Sequence, residues 1–481
     1  MSKNKIKINF IYNIFYQLLT LLMPLATAPY LSRVIGANGI GIYSYTYSIV
    51  YYFVLITLLG VNNYGNRSIA KIKEKKELLS KTFWSIYSMQ LIMGGIMIAT
   101  YLFYSLFLCN RYKIITIIQV LYIISAVLDI NWFFFGMEEF KKTVIRNSIV
   151  KMGCIILVFI GVKNTSDVWK YTLIMSGMTC ISQIVLWKFL KKYIRFEKVS
   201  WGDIKKHIRP NLTLFVPVIA ISLYKIMDKI MLGLLSTTTE VGYYENAEKI
   251  INVPLTIITA LGTVMLPRMS NMIAKGNKAE AGKYIMKSIE FVMFMSLAMC
   301  FGLASVGYKF ALIFYGEEFE KTGLLIAILS TTLPFISFAN VIRTQYLIPK
   351  EKDKIYITSV ILGAIINFTI NCVFIPTYKS IGACVGTISA EIIVMAYQAI
   401  AIRNELPIKQ YLVNSVQFLT KSILMALAIY PLNYIEMNSA LRLLIQVGLG
   451  CSIYVALNLK YVLNAFNAKI IRKGDQNKRH N

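Results

Sequence analysis

Apolar runs about twenty residues long recur along this chain from end to end, and polar residues are confined to short gaps between them. As an α-helix, a run of about that length spans the roughly 30 Å hydrocarbon core of a bilayer. The runs fall at roughly 8–30, 41–63, 83–108, 113–135, 143–162, 169–190, 211–235, 248–271, 288–313, 322–345, 355–375, 380–402, 414–434 and 440–460, about fourteen in all. Helix is the predicted conformation throughout, because lipid leaves no partner for open backbone groups and the runs are too long and continuous for barrel strands. The pattern therefore predicts an all-α polytopic membrane protein. No gap is long enough to hold a soluble domain.

The charge distribution orients the pattern. The chain is 57% hydrophobic and carries a formal net charge of +28. In a soluble chain that charge would suggest nucleic acid, but here no basic stripe interleaves with exposed aromatics. Instead about 37 of the 51 Lys and Arg fall in gaps that share a side with the N-terminus, and about 9 on the other side. The richest of these gaps hold Arg67, Lys71, Lys73, Lys75, Lys76 and Lys81, then Lys141, Lys142 and Arg146, then Lys188 to Arg209. The Lys350–Lys354 gap and the basic tail continue the series. Positive charge stays inside, so both termini are expected in the cytoplasm and the protein in the cytoplasmic membrane. The gaps around Lys71–Lys81 and Phe189–Arg209 mix basic and apolar residues and are expected to lie on the anionic inner leaflet. Lys3, Lys5 and Lys7 before the first run imitate a signal peptide, with Ala26-Thr27-Ala28 in the place of a cleavage site. Pro29 after that site, and Asn13, Gln17 and Pro24 within the run, favour an uncleaved first span.

Composition also excludes several chemistries. The seven Cys lie in or beside apolar runs, none forms a C-x-x-C pair, and His207 and His480 are the only imidazoles. Neither a metal site nor a disulfide framework is expected, and no cofactor is implied. There is no G-x-x-x-x-G-K-[ST] segment, hence no built-in ATPase of that kind. No large outward loop gathers acids, His or Arg, which argues against a polymerase and leaves no catalytic constellation.

A faint repeat divides the chain. Gly36-Ala37-Asn38-Gly39-Ile40-Gly41-Ile42-Tyr43 lies between runs one and two, and Ser236 to Tyr244 between runs seven and eight. Gly41 and Tyr43 match Gly242 and Tyr244 at a constant offset. Gly136 to Lys141, after run four, pairs with Pro349 to Lys354, after run ten. Two six-helix lobes around a central cavity, with two C-terminal helices appended, account for both echoes. The expected divisions are residues 1–200, 201–403 and 404–481, the last ending in the basic tail.

Ionisable groups inside lipid cost several kcal/mol unless they face protein or a watery cavity, so each is a candidate site. Run seven holds Lys225, Asp228 and Lys229, at positions that share one helix face. Either Asp228 pairs with one of the two lysines, or the face is open to a ligand; in both cases one positive charge is left to suit an anion. Asn13, Gln17 and Thr20 form a polar stripe on run one, which ends near Arg33. Asp129 and Asn131 sit late in run four, Glu391 lies deep in run twelve, Arg343 and Gln345 end run ten, and Glu245, Glu248 and Lys249 open run eight. Pro24, Pro217, Pro254 and Pro334 fall within runs and permit bends. Tyr43, Tyr45, Tyr47, Tyr51 and Tyr52 open run two as expected interfacial residues, some of them a possible wall for stacking sugars.

Three of these segments together resemble a known family. Pro29-Tyr30-Leu31-Ser32-Arg33-Val34-Ile35-Gly36-Ala37-Asn38-Gly39-Ile40-Gly41-Ile42-Tyr43-Ser44 is similar to the first-loop signature of bacterial polysaccharide repeat-unit flippases. Asp129-Ile130-Asn131-Trp132-Phe133-Phe134-Phe135-Gly136-Met137-Glu138 resembles their span-four signature, and Asp228-Lys229-Ile230-Met231-Leu232-Gly233 their span-seven signature. The resemblance extends over the whole chain in span number, order and loop length. It implies membership of the multidrug/oligosaccharidyl-lipid/polysaccharide exporter superfamily. It also implies a fold of two lobes around a cavity, and movement of undecaprenyl-diphosphate-linked oligosaccharide from inner to outer leaflet for capsule, O-antigen or another surface polymer.

On this reading the diphosphate is expected near Lys225, Lys229 and Arg33 and the sugar in the polar cavity, with Asn13 and Gln17 as further substrate-binding candidates. Asp228, Asp129 and Glu391 are candidates for charge pairs or for a coupling H+ or Na+. A polysaccharide polymerase is a candidate partner. Two alternatives remain open: a cation-coupled multidrug exporter of the same superfamily, and a polytopic polymerase or glycosyltransferase.

Overall fold

A computed structural model describes residues 3–464, except for the side chains of residues 3–21, Phe140, Pro217, Tyr224 and Lys278. The Asn13 and Gln17 side chains and the basic tail beyond residue 464 lie outside the described residues. Among those described there are helices and no strand. Twelve segments are long and apolar enough to cross a membrane by length and composition. One of them, the 51-residue stretch Leu22–Ile72, holds two of the expected runs, and a further helix holds the run at 211–235. The protein is a multi-pass all-helical membrane protein, and fourteen is an approximate count.

The chain folds into two compact units. The first takes the chain up to Asn246 together with Asn367–Ala383; the second takes Ala247–Ile366 and the chain from Cys384 onward.

The first unit begins with α1 (Lys3–Leu58), α2 (Val61–Ile72), α3 (Lys76–Phe103), α4 (Lys113–Val127) and α5 (Asn131–Gly136). It continues with α6 (Phe140–Gly161), α7 (Val168–Leu190), α8 (Trp201–Leu235) and the start of α9 (Thr238–Ala274). The expected gap between runs one and two narrows to a single break: two helical stretches, taken together as α1, meet at Gly36, whose φ of 66° and ψ of −179° suit a residue without a Cβ. Where the span-four signature lies, α4 stops at Val127 and α5 starts at Asn131. Asp129 makes this junction: its Oδ1 accepts from the Asn131 backbone N–H at 2.8 Å and from Asn131 Nδ2 at 2.6 Å. The aromatic run that follows is buried, with Trp132, Phe133 and Phe134 packed against Phe83, Leu186 and Ile204.

The basic gap before α8 ends in a reciprocal helix cap. Ser200 Oγ accepts from the Asp203 N–H at 3.2 Å while Asp203 Oδ2 accepts from the Ser200 N–H at 3.2 Å. Hydrogen bonding from Lys206 first, and from Ser200 and Lys81 besides, holds the Asp203 carboxyl well below the usual range. One turn on, His207 is buried with Nδ1 2.7 Å from Tyr64 OH. Desolvation lowers its pKa, and Lys206 adds to the effect while Asp203 opposes it.

The second unit contains the rest of α9, α10 (Lys278–Tyr315), α11 (Glu320–Ser330), α12 (Thr332–Ile342), the start of α13 (Asp353–Tyr378) and most of α14 (Ser380–Ala401). α15 (Ile408–Ile429) and α16 (Ser439–Leu457) complete it. Its core joins Ile258, Met269, Ile289, Phe338, Tyr411 and Phe418. Pro334, which permits a bend in run ten, stands in the first turn of α12, and α11 ends at Ser330, the residue whose carbonyl Pro334 cannot bond.

Two loops of this unit are clamped by Glu405. Its carboxylate binds Lys352, accepts from Tyr346 OH at 2.6 Å and pairs with Lys350 Nζ at 3.2 Å. These bonds, that of Lys352 foremost, hold its pKa down at about 2. A depressed folded value means that the clamp stabilises fully above the unfolded value of about 4.3 and is lost as pH falls toward the folded one. Glu405→Gln is therefore expected to lower the unfolding temperature of detergent-purified protein at pH 7. The gap from wild type should hold down to about pH 5 and close progressively below it. A gap that stays constant down to pH 3 would show that the carboxylate charge is not what holds the loops.

Candidate functional site

The span-seven charges are the centre of a polar cluster within the first unit. α8 carries Lys225, Asp228 and Lys229 on successive turns, and the opening turns of α9 bring Tyr244 and Glu245 against them. Lys229 Nζ pairs with Glu245 Oε2 at 2.8 Å, both side chains being largely buried. The same oxygen accepts from Ser44 Oγ at 2.8 Å, which ties α1 to the pair. Asp228 is buried, and its two oxygens accept from Tyr244 OH at 2.8 Å and from Asn371 Nδ2 at 2.6 Å. Asn371 in turn lies 3.2 Å from Asn367 Oδ1, one turn away on α13.

On this face Lys229 pairs with Glu245, and Asp228 accepts hydrogen bonds from Tyr244 and Asn371. Lys225 and Lys229 are then matched in formal charge by Asp228 and Glu245, so the surplus positive charge on this face disappears. Lys225 is exposed and has no ion pair among the described residues. Arg33 is exposed on α1, its Nη1 donating to the Pro29 carbonyl at 2.8 Å.

Two other candidates are elsewhere. Asp129 belongs to the α4–α5 junction, where Asn131 also accepts from Arg146 Nη2 at 3.0 Å and Arg146 Nη1 donates to Gln183 at 3.2 Å. Glu391 is buried in α14, in the second unit, and has no ion pair among the described residues. Asn13 and Gln17 lie outside the residues whose side chains are described.

The repeat seen in the sequence is a physical contact. An ideal Cβ on Gly41 would lie 1.6 Å from the Thr238 carbonyl oxygen, and one on Gly242 would lie 2.0 Å from the Ala37 carbonyl oxygen. Each glycine thus meets the residue four positions before the other. α1 and α9 cross there backbone to backbone, as small residues allow in membrane helices. Asn38 Oδ1 accepts from Thr238 Oγ1 at 2.6 Å on the same crossing. One turn further, Ser44 meets Glu245, so the crossing continues directly into the charge cluster.

Tyr43, Tyr47 and Tyr51 do not behave as separate interfacial anchors. Spaced four apart, they form a row on α1 with ring centroids 5.8 and 6.1 Å apart, and Tyr43 OH lies 2.6 Å from Tyr122 OH.

Sequence reasoning missed Ser44, Tyr244 and Asn371. For Tyr244 a signal existed in the constant offset of the repeat. For Asn371 it lay in Asn367 and Asn371, two amides at i, i+4 inside an apolar run. Glu245 is among the sequence's candidates at the start of run eight, but nothing local connects it to Lys229.

Comparison with known proteins agrees with this architecture. The family model described as "Polysaccharide biosynthesis protein" matches residues 6–273, more than half of the chain. The chain belongs to that family. Over 421 residues it is 26% identical to the "Putative O-antigen transporter" of Escherichia coli K12, covering 84% of this chain and 99% of the relative. It is 21% identical over 327 residues to the "Probable low-salt glycan biosynthesis flippase Agl15" of Haloferax volcanii, covering 67% of each. Among solved structures, the lipid II flippase MurJ in an inward closed conformation superposes with a TM-score of 0.77 at 16% identity, covering 95% of this chain and 99% of the other. An inward-facing multidrug resistance MATE transporter superposes at 0.62 and 12% identity, covering 82% of this chain and 95% of the other. Both show a shared fold.

Proposed function

We propose that this protein is a flippase for lipid-diphosphate-linked oligosaccharide. It carries repeat units from the inner to the outer leaflet of the cytoplasmic membrane for surface polysaccharide assembly. The observation that carries this reading is the cluster of lysine and carboxylic side chains between α8 and α9, in a chain whose relatives are named for O-antigen and glycan transport. Transport alone accounts for the chain, and no bond-forming chemistry is assigned to it.

On this reading the protein works by alternating access. The positive-inside bias supports cytoplasmic termini. Lys225 is the first contact for the diphosphate, and Arg33 is available on α1. Lys229 is committed to Glu245 and reaches the phosphate only when that pair opens. The polar stripe of Asn13 and Gln17 and the Tyr43–Tyr47–Tyr51 row serve the sugar. Glu391, Asp228 and Asp129 are the carboxylates proposed to carry a coupling H+ or Na+. A polysaccharide polymerase receiving the flipped unit is the proposed partner.

The deciding experiment measures the leaflet accessibility of undecaprenyl-diphosphate oligosaccharide in cells depleted of the protein. Inner-leaflet accumulation with loss of surface polymer is expected, and complementation by Lys225→Ala with Lys229→Ala should fail at normal expression. Normal flipping by that double variant would remove the phosphate site. Unchanged leaflet distribution on depletion, with drug resistance conferred on overexpression, would instead favour the multidrug exporter, whose fold is shared.

A further inference from the structure

We propose that the first unit carries a discrete binding site for an anionic phospholipid, separate from the α8–α9 cluster. The site is a cleft of about 650 Å³ formed by the end of α7, the segment 191–196 and the early turns of α3. Its walls include Trp84, Trp187, Ile184 and Phe196, and its basic residues are Lys188, Lys191 and Arg195. Among the described residues none of these three cations has an ion pair, although acids nearby do: Asp203 is taken by Lys81 and Lys206.

The cleft is built before any ligand arrives. Trp84 Nε1–H donates to the Arg195 carbonyl at 2.9 Å, and the Arg195 N–H donates to Ser80 Oγ at 3.1 Å. The backbone of Arg195 is thus fixed to α3 from both sides while its guanidinium stays exposed. Trp84 and Phe196 pack edge to face at 5.0 Å, and Tyr87 backs Trp187 at 4.8 Å. Despite this packing Phe196 is 72% exposed and Ile184 50%.

Fixed cations beside exposed apolar walls select an amphipathic anion. Free phosphate satisfies the cations alone, and a zwitterionic lipid brings its own positive charge to the same place. An anionic phospholipid places its phosphate on Lys188, Lys191 and Arg195 and its acyl chains along Ile184, Trp187 and Phe196. The cleft also lies at the Lys- and Arg-rich end of α7, the side assigned to the anionic leaflet. A neighbouring cleft of about 500 Å³ between α6 and α7 fits less well. There Lys142 pairs with Glu139, and Arg146 is engaged by Asn131, Asn147, Ser182 and Gln183.

The test is native mass spectrometry of the full-length protein titrated with phosphatidylglycerol or phosphatidylcholine of matched chains. Wild type is expected to retain phosphatidylglycerol preferentially, with one tight adduct. Lys188→Ala/Lys191→Ala/Arg195→Ala should lose that preference by roughly tenfold or more, since each cation beside an anionic headgroup contributes roughly fivefold. Arg195→Ala alone, which leaves the backbone bonds to α3 in place, should show a smaller loss in the same direction. A control triple in another basic segment, Lys71→Ala/Lys75→Ala/Lys76→Ala, should bind like wild type. Equal retention of the two lipids, or the same loss in both triples, would overturn the site and leave only diffuse attraction. Displacement of the adduct by substoichiometric polyprenyl diphosphate would also overturn it, by making the cleft a substrate site. Because the readout is lipid retention, the result stands apart from whether the protein flips oligosaccharide.

Discussion

Gly41→Val is expected to abolish transport. The added Cβ alone would lie 1.6 Å from the Thr238 carbonyl oxygen, and the obstacle is backbone that cannot rotate away. α1 and α9 must separate, which removes the Asn38–Thr238 hydrogen bond and draws Ser44 away from Glu245. Overpacking of this kind costs about 1–3 kcal/mol or more before any effect on transport. Gly242→Val meets the Ala37 carbonyl from the other side of the crossing and is expected to behave the same way. Gly95→Ala, where an added Cβ has nothing within 4 Å, is the neutral control. Complementation of surface polymer, read beside membrane expression and unfolding temperature, checks all three. Wild-type transport by Gly41→Val at normal expression would mean that the helices do not cross this closely in the working protein.

Glu245→Gln is the second large effect. It leaves Lys229 in a largely buried position with its carboxylate removed, and Ser44 loses a charged acceptor. Breaking a buried pair from one side costs about 3–5 kcal/mol, because the remaining charge stays desolvated. Replacing both partners by apolar residues of similar volume is often neutral, so Lys229→Met/Glu245→Met should recover most of the unfolding temperature. Transport should not return with it, since the proposed cycle needs a lysine that the carboxylate can release. Equal instability of the single and double variants would show that the pair is not an isolated unit. Full transport by the double variant would remove Lys229 from the mechanism.

The two experiments examine one continuous structure. The glycine crossing sets the distance between α1 and α9, and that distance brings Ser44 to Glu245, which pairs with Lys229. Asp228 is held separately, by Tyr244 from α9 and Asn371 from α13. A change at the crossing is therefore expected to reach the charges within a turn or two of helix.

Much of this protein follows from residue order alone, for a physical reason. Lipid satisfies no backbone group, so a twenty-residue apolar run has helix as its conformation whatever its neighbours. Helical class and multiple passes were accordingly legible. So was the echo between Gly41 and Gly242, because its cause is local: both positions need the smallest residue. Partner choice was not legible. Lys229 has Asp228 beside it in sequence and Glu245 sixteen positions away, and it pairs with Glu245. The approach of α8 to α9 decides that, since an ion pair is set by distance through space. The same holds for Asp129, which reads as an intramembrane acid but whose carboxylate caps the helix that starts at Asn131. It holds too for Lys188, Lys191 and Arg195, whose count predicts only a side of the membrane. Their place beside Trp84 and Trp187 depends on how α3 packs against the end of α7. Sequence determined what each segment is and which side its charges favour; tertiary structure decided which charges meet, because burial and hydrogen bonding depend on neighbours that sequence separation does not specify.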